Sequence, residues 1–543
     1  MAELSIVLIL LFAVVVSGAV GRMLPKVIPL PLVQIAFGAA IAAIADLGVS
    51  LEPDLFFVLF LPPLLFLDGW RIQKEGLFRD MGTILSLALG LVIFTVLGVG
   101  LLIHWMIPSI PLPLAFALAA ILSPTDPVAV SAISQRVNVP KRLMHILEGE
   151  SLLNDASGLV CMRFAIAAAM TGAFSLSNAT VTFVWLALAG VAAGVIVCRL
   201  ITFVKERVAA RYGEDTGSQI LVSLLTPFAA YLVAEEIGAS GILAVVSAGL
   251  TMSYSEQSGK AMATTRIRRN AVWDMVQFAL NGIMFVILGE QLPDIISKAA
   301  MVVQETGHHD PVWMLIYVVL ISLALAVLRL IWVWVSYQLV LLRRHEKTQP
   351  SWPLIAATSV AGARGAITLA AVLSLPLTMV DGSLLPARDL MIFIAAGVII
   401  VSLVMASVAL PLLLCNVTMP SEPLHQRQED RVRRAAAEAA MAAVSAAEQA
   451  QPPGQDDKDL YTRAASRIVD IYRERIAGYA SKEDADMARY KRAQKTERNL
   501  WLIAVRAERE TIYDASRRNH LPDDIARKMV HEVDLIEERL DQG

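Results

Sequence analysis

Long apolar runs follow one another through residues 1–420, separated by short polar breaks. A run of roughly 20 apolar residues crosses the hydrocarbon core of a bilayer as one helix. Hydrophobic residues make up 56% of the chain and charged residues 17%, which excludes an ordinary soluble protein. The sequence therefore predicts an all-α polytopic membrane protein of about 13 transmembrane helices. The candidate spans begin near residues 4, 29, 55, 82, 114, 146, 181, 219, 241, 272, 313, 354 and 390.

The composition changes after Pro420, where Arg, Glu, Asp and Ala become frequent and the apolar runs stop. This change predicts a transmembrane domain over residues 1–417 and a helical cytoplasmic domain over residues 418–543. The C-terminal segment carries one apolar stripe at helical spacing. The stripe predicts a small helical bundle that supports a dimer, with a regulatory sensor as the alternative. Its residues are Ile525, Met529, Val533, Ile536 and Leu540.

Basic residues cluster in alternate loops, and cytoplasmic loops carry the excess of Lys and Arg. The alternation predicts an N-terminus outside the membrane and a C-terminal domain inside it. The clusters lie at 22–26, 71–79, 136–142, 205–211, 260–269 and 343–347.

Several function classes are excluded by the same sequence. A net charge of −3 and the lack of a basic patch with interleaved aromatic residues argue against nucleic-acid binding. The three cysteines have no paired spacing, so neither disulfides nor a cysteine metal site is expected. No GxxxxGK[ST] motif is present, so an ATP-driven pump is excluded and an ion gradient is the expected energy source.

Two of the predicted spans contain helix-breaking residues. ILSPTDPVAVSAI interrupts the fifth with two prolines, and SVAGARGAITLA interrupts the twelfth with glycines and an arginine. Both spans are therefore predicted to unwind near their middles, and unwound helices at membrane depth coordinate ions in many transporters. The fifth and twelfth spans lie seven apart and so run in opposite directions, as LPPLLFLDG in the third does relative to IMFVILGEQ in the tenth. This offset indicates an inverted repeat.

GESLLNDASG in the sixth span places four polar side chains on one arc of a helix, since residues three and four apart share a side. Charged groups at membrane depth are costly, so they face partners or a water-filled path. The arc is Glu150, Ser151, Asn154 and Asp155, and the residues expected to converge on it are Asp68, Asp126 and Arg364.

A buried arginine needs an anion, so we pair Glu150 with Arg364 and leave Asp155 free to titrate. The alternative is that all three form one inert network that only fixes helix packing. Arg163 and Arg329 also lie inside spans, where snorkelling or a nearby acidic residue explains them better than transport chemistry. Glu235 is an interfacial charge on the outer side.

LSPTDPVAV, EGESLLNDASGLV and GARGAITLA occur in this order within residues 1–417. On these motifs the membrane domain resembles the monovalent cation/proton antiporter-1 family, which includes bacterial sodium/proton antiporters. The resemblance implies a thirteen-helix fold of inverted repeats with two crossed, broken helices. It also implies a homodimer in the bacterial inner membrane, and alternating access by a core domain that moves against a dimerisation domain.

The resemblance also implies a cation site. Asp155 is the carboxylate that binds either the cation or the proton, and Ser151 with the main chain at Thr125 ligates Na⁺. Asp68 stands where an acidic residue of the third helix joins the site in prokaryotic members. No resident cofactor is implied, because the monovalent cation and H⁺ are the transported species.

The remaining roles are structural. The resemblance implies that Asn154 braces Thr125, that Glu150 and Arg364 form an ion pair, and that Asp126 supports the helix crossing. Members with a second aspartate at the position of Asn154 are electrogenic, so one carboxylate implies electroneutral one-for-one exchange.

One carboxylate that must be neutralised by Na⁺ or H⁺ before it crosses a low-dielectric barrier is sufficient for exchange. The expected function is therefore antiport of Na⁺, or Li⁺, against H⁺. A potassium/proton antiporter is the nearest alternative, and a cation channel or a non-transporting receptor are alternatives from other classes.

Overall fold

The computed structural model describes most of the chain. The described residues are 2–24, 28–44, 53–126, 141–171, 176–256, 263–305, 312–344, 352–379, 382–414, 423–449, 458–480, 484–518 and 523–541.

The described residues form a succession of helices with one π-helical turn, Ser86–Leu91. The helices are α1 (Ala2–Met23), α2 (Leu30–Ile44), α3 (Pro53–Arg71), α4 (Lys74–Arg79), α5 (Met81–Leu85), α6 (Val92–Met106), α7 (Leu112–Leu122), α8 (Lys141–Thr171), α9 (Leu176–Tyr212), α10 (Thr216–Glu236), α11 (Gly241–Glu256), α12 (Ala263–Glu305), α13 (Val312–Arg344), α14 (Trp352–Val360), α15 (Ala366–Leu373), α16 (Arg388–Leu414), α17 (Pro423–Gln449), α18 (Lys458–Ala480), α19 (Asp484–Arg517) and α20 (Asp523–Asp541).

Many of these helices are long and apolar enough to cross a bilayer. Among the described residues, eight helical segments meet that standard of length and hydropathy, and three further apolar helices are shorter. A bilayer offers no hydrogen-bond partners, so the backbone of each segment has to satisfy itself within the helix. The predicted class, an all-α polytopic membrane protein, is confirmed, whereas the count of about 13 spans stays a prediction.

The membrane helices pack in two groups. The first group is α1–α3 with α9–α12, and the second group is α4–α8 with α13–α16. Most helix contacts lie within a group. Contacts between the groups involve α3, α11 and α12 on one side and α8, α13, α15 and α16 on the other. The predicted site residues of α8 therefore lie in the second group.

Contacts between a helix of the first half of the membrane unit and a helix of the second half occur in matched pairs. Helix α2 packs on α12 as α11 packs on α3, and α1 packs on α12 as α10 packs on α3. Glycines occupy equivalent contacts, since a Cβ on Gly38 or Gly289 would overlap the α2–α12 partner backbone. Gly69 and Gly249 do the same between α3 and α11. This recurrence is the pattern that the predicted inverted repeat requires.

The two predicted breaks are located as follows. Helix α7 ends at Leu122 and residues 123–126 are not helical, while the rest of the predicted fifth span, 127–140, lies outside the described residues. Helix α14 ends at Val360, residues 361–365 are not helical, and α15 then begins at Ala366. The predicted unwinding of the twelfth span is therefore confirmed.

The chain divides into two compact units, Met1–Thr418 and Met419–Gly543. The predicted boundary at 417/418 itself falls outside the described residues. In the second unit α17 packs on α18 and α19 packs on α20. The α19–α20 core is Val505, Ile512, Ala526, Val530 and Val533.

This core differs from the predicted stripe of α20. Val533 is buried as expected, but Ile525, Met529 and Ile536 are exposed. The side chain of Leu540 lies outside the described residues. Ala526 and Val530, each one position further along α20, lie in the core in place of Ile525 and Met529.

Candidate cation and proton site

The non-helical residues that follow α7 meet those between α14 and α15. The amide of Asp126 donates to the carbonyl of Ala363 over 2.7 Å. A Cβ on Gly365 would overlap the Asp126 carboxylate, so that carboxylate packs directly on the backbone where α15 begins. A negative charge is favourable at a helix N-terminus, so the start of α15 stabilises the Asp126 carboxylate.

Arg364 lies buried in the same crossing and is held by main-chain groups. Its Nε donates to the carbonyl of Leu122 over 3.0 Å, and its Nη1 donates to the carbonyl of Gly362 over 2.6 Å. Its own amide donates to Ser402 Oγ. Since Leu122 is the last residue of α7, the guanidinium satisfies a carbonyl that the interruption leaves without an intrahelical donor. A cation at that end also complements the helix dipole.

The predicted polar arc of α8 is buried as a unit. Glu150, Ser151, Asn154 and Asp155 are each at most 4% exposed, with Glu150 at 0% and Asp155 at 2%. Buried polar groups cost free energy unless they are hydrogen-bonded, so the partners of each decide what it does.

Glu150 is paired with Arg329 of α13. Both Nη atoms of Arg329 donate to the Glu150 carboxylate, one of them over 2.8 Å, and its Nε donates to the carbonyl of Thr358. A Cβ on Gly362 would lie 2.7 Å from Arg329 Nε, so that glycine leaves room for the guanidinium. This bidentate, buried pair joins α8 to α13 beside the interruption of the twelfth span.

The predicted ion pair between Glu150 and Arg364 is therefore wrong. Arg364 bonds to carbonyls at the crossing, and the acidic partner that Arg329 needed is Glu150. The sequence showed that both arginines required compensation. It held no signal for which one lay opposite α8, because that depends on how distant helices cross.

Thr125 connects the interrupted fifth span to α8. Asn154 Nδ2 donates to Thr125 Oγ1 over 3.0 Å, and Thr125 Oγ1 in turn lies 3.4 Å from Glu150 Oε1. The amide side chain thus braces the interrupted segment, and the hydroxyl fixes the carboxylate that holds Arg329. Each of these side chains is committed to a neighbour.

Asp155 contrasts with Glu150, both of whose carboxylate oxygens accept hydrogen bonds from Arg329. Within the described residues, its buried Oδ2 has no hydrogen-bond partner. The same holds for Asn154 Oδ1 and Ser123 Oγ, so several oxygen atoms lack donors in one region. Oxygen atoms of this kind suit a hard monovalent cation, or a proton on the carboxylate.

Asp68 is half-buried on α3, in the first group, and its charge interacts with those of Asp126 and Asp155. In the part of the chain that the structure describes, no three His, Cys, Asp or Glu residues are close enough together to hold a metal ion. Among the described residues, the unpartnered Asp155 Oδ2 is the oxygen of the α8 carboxylates at this site that is open to a cation or a proton.

This geometry can be compared with known proteins. The profile described as sodium/hydrogen exchanger, transmembrane, matches residues 7–415. The chain belongs to the sodium/hydrogen exchanger family. It is therefore a multi-pass membrane protein of a family that exchanges monovalent cations and protons, and not an enzyme.

Two relatives show how far the likeness extends. The chain is 41% identical to an uncharacterized Na⁺/H⁺ exchanger of Escherichia coli strain K12, over 98% of this chain and 97% of the relative. It is 38% identical to the sodium, potassium, lithium and rubidium/H⁺ antiporter of Bacillus subtilis strain 168, over 98% and 77%.

A solved structure supports the fold. The sodium proton antiporter of Methanocaldococcus jannaschii aligns with a TM-score of 0.59 over 77% of this exchanger and 99% of that chain. The two sequences are 17% identical, so this likeness concerns the fold alone.

Proposed function

We propose that this exchanger carries Na⁺, or Li⁺, in one direction and H⁺ in the other, with Asp155 as the group that both cations neutralise. The observation that carries the proposal is the contrast within the α8 arc. Both oxygens of the Glu150 carboxylate accept from Arg329, whereas Asp155 Oδ2 is buried and has no hydrogen-bond partner among the described residues. A bare carboxylate in a low-dielectric site requires a cation or a proton.

The ligands that we propose for the cation are Asp155, Ser151 and the main chain at Thr125, with Asp68 at the same site. No resident cofactor is needed, since every partner of the carboxylate is itself transported. Glu150 is compensated by Arg329 and is not counted among the ligands. We propose one-for-one, electroneutral exchange, because Asn154 stands where electrogenic members of the family carry a second aspartate.

Alternating access is the mechanism that we propose, with the second helix group moving against the first. A charged, empty Asp155 resists that movement because burial of a bare charge is costly. The neutralised carboxylate moves more easily, which couples the two fluxes. The positive loops further support an N-terminus outside the bacterial inner membrane and a C-terminal domain in the cytoplasm, and we expect a homodimer.

A broader selectivity is the second candidate, and the relatives favour it. The Bacillus subtilis relative and a 46% identical relative from Bacillus pumilus are both named for sodium, potassium, lithium and rubidium. The chain covers 60% of the length of the latter. Neutral and carboxylate oxygens ligate all of these cations, so potassium/proton exchange is compatible with the same site.

Purified exchanger in liposomes with a trapped pH-sensitive dye tests the proposal. Addition of Na⁺, Li⁺ or K⁺ outside an acidic lumen is expected to alkalinise the lumen, and the order of the three cations gives the selectivity. The Asp155→Asn variant is expected to abolish this change while it still folds and reconstitutes.

The outcomes separate the alternatives. Cation flux without proton coupling, with currents too large for a carrier, would indicate a channel. An unimpaired Asp155→Asn variant would show that the arc is structural. A rate that depends on membrane potential would contradict electroneutral exchange.

A further inference from the structure

An ion pair between the two helix groups lies away from the cation site. Arg163 Nη2 of α8 donates to Glu235 Oε1 at the end of α10 over 3.0 Å. Helix α8 belongs to the second group and α10 to the first. Of the two alternatives that the sequence leaves open for Arg163, snorkelling and a nearby acidic residue, the structure shows the second, with Glu235 as the partner.

This pair and the candidate site share one helix. Arg163 follows Asp155 by about two turns of α8, so a movement that carries Asp155 also carries Arg163. Glu235 does not belong to that moving helix. The distance between the two charges therefore changes whenever one helix group moves against the other.

Glu235 is held in place without Arg163. Its Oε1 also lies 3.3 Å from the amide of Gly241, the first residue of α11. A Cβ on Gly241 would lie 2.6 Å from Tyr231 and 2.9 Å from Glu235, so the carboxylate packs closely on that helix end. The positive end of the helix dipole favours an anion there. If Arg163 leaves, Glu235 keeps a favourable environment and water reaches both groups.

The strength of the pair suits reversible use. The side chains of Arg163 and Glu235 are 37% and 34% exposed, so solvent screens their attraction. Such pairs favour the associated state by up to about fivefold. The contact is strong enough to bias an equilibrium and weak enough to dissociate within a transport cycle.

The loop between α10 and α11 lies outside the membrane in the orientation proposed above, since the loops before α10 and after α11 carry the basic clusters. We propose that Arg163 and Glu235 form an outer latch, which closes the outer side of the exchanger when paired and opens once in every transport cycle. The inference rests on the proposed alternating access.

A reversible cross-link tests the latch. In a background with the native cysteines replaced, Arg163→Cys and Glu235→Cys are joined by a bis-methanethiosulfonate reagent that spans an arginine–glutamate pair. Proton-coupled exchange in liposomes is measured before the reagent, after it, and after reduction. The control joins Asp294→Cys and Lys298→Cys, which replace an ion pair within the single helix α12.

We expect the reagent to abolish exchange in the latch variant, reduction to restore it, and the control to be unaffected. Full exchange by the cross-linked latch variant would overturn the inference, because the two side chains would then never need to separate. Absence of exchange in the unmodified protein would instead count against the proposed function.

A double-mutant cycle covers the case in which the two cysteines themselves prevent exchange. Arg163→Gln and Glu235→Gln are each expected to change the apparent KM for cation at the outer face by up to about fivefold in the same direction. The double variant is expected to match the single variants, because both remove one contact. Additive effects, or a Lys298→Gln control with the same shift, would overturn the latch.

Discussion

Replacement of Arg329 by methionine tests the buried ion pair with Glu150, because it removes the positive partner. Arg329 is 2% exposed and Glu150 is 0% exposed, so the variant leaves a carboxylate in the protein interior without its counter-charge. Breaking a buried pair in this way costs about 3–5 kcal/mol. The Arg329→Met variant is therefore expected to unfold at a clearly lower temperature in detergent than the parent protein.

Neutralising the carboxylate should reverse most of that loss. In the double variant Arg329→Met with Glu150→Gln, no uncompensated charge remains, and replacing both partners of a pair costs far less than removing one. Thermal unfolding followed by tryptophan fluorescence measures both variants in the same detergent.

Arg364→Met is the matched comparison. It removes the donors to the carbonyls of Leu122 and Gly362, and each unsatisfied carbonyl costs about 1–3 kcal/mol. Glu150→Gln supplies no donor to those carbonyls, so it should not rescue Arg364→Met. Rescue of Arg364→Met by Glu150→Gln, with no rescue of Arg329→Met, would refute the assignment of Glu150 to Arg329.

Three further perturbations test other parts of the structure. Gly365→Ala places a Cβ on a neighbouring carboxylate at the helix crossing and should slow exchange in liposomes by up to ~100-fold, whereas Gly82→Ala meets nothing within 4 Å and should not. Burial acts to raise the pKa of Asp80, but the hydrogen bonds and charges of Arg142 and, to a smaller extent, Arg79 outweigh it and hold the pKa below the usual 3.8. This stabilisation is present above pH 3.8 and is lost as the pH falls through the lowered pKa, so Arg142→Gln should cost about 1 kcal/mol or less at pH 7 and nothing at low pH in thermal unfolding. Val505→Asp buries a lone charge in the core between α19 and α20, so limited proteolysis should cleave the C-terminal unit while exchange persists.

The fold was predictable because its signals are local. Apolar length gives the spans, and the prolines and glycines of the fifth and twelfth give their interruptions, since each acts on its own stretch of backbone. Helical spacing likewise put Glu150, Ser151, Asn154 and Asp155 on one buried arc. These inferences need no knowledge of how the helices are arranged.

The site was predictable only in part, because its pairings are set by tertiary contacts. Arg329 lies 179 positions from Glu150, and no pattern around it reveals which helix it faces. The sequence did show that a buried arginine needs an acceptor. It did not show that main-chain carbonyls at an interrupted helix serve that purpose for Arg364.

The glycine contacts between α2 and α12, and between α3 and α11, have a consequence for mutational scanning. Gly38 corresponds to Gly249 and Gly289 to Gly69, so each close helix contact exists twice in the molecule. A substitution tolerated at one position should be tolerated at its counterpart, and one that separates the helices should do so in both halves. The effects of substitutions measured across the first half of the membrane domain therefore predict the effects at the corresponding positions of the second half. Positions at which the two halves differ in tolerance mark where the halves have taken different roles.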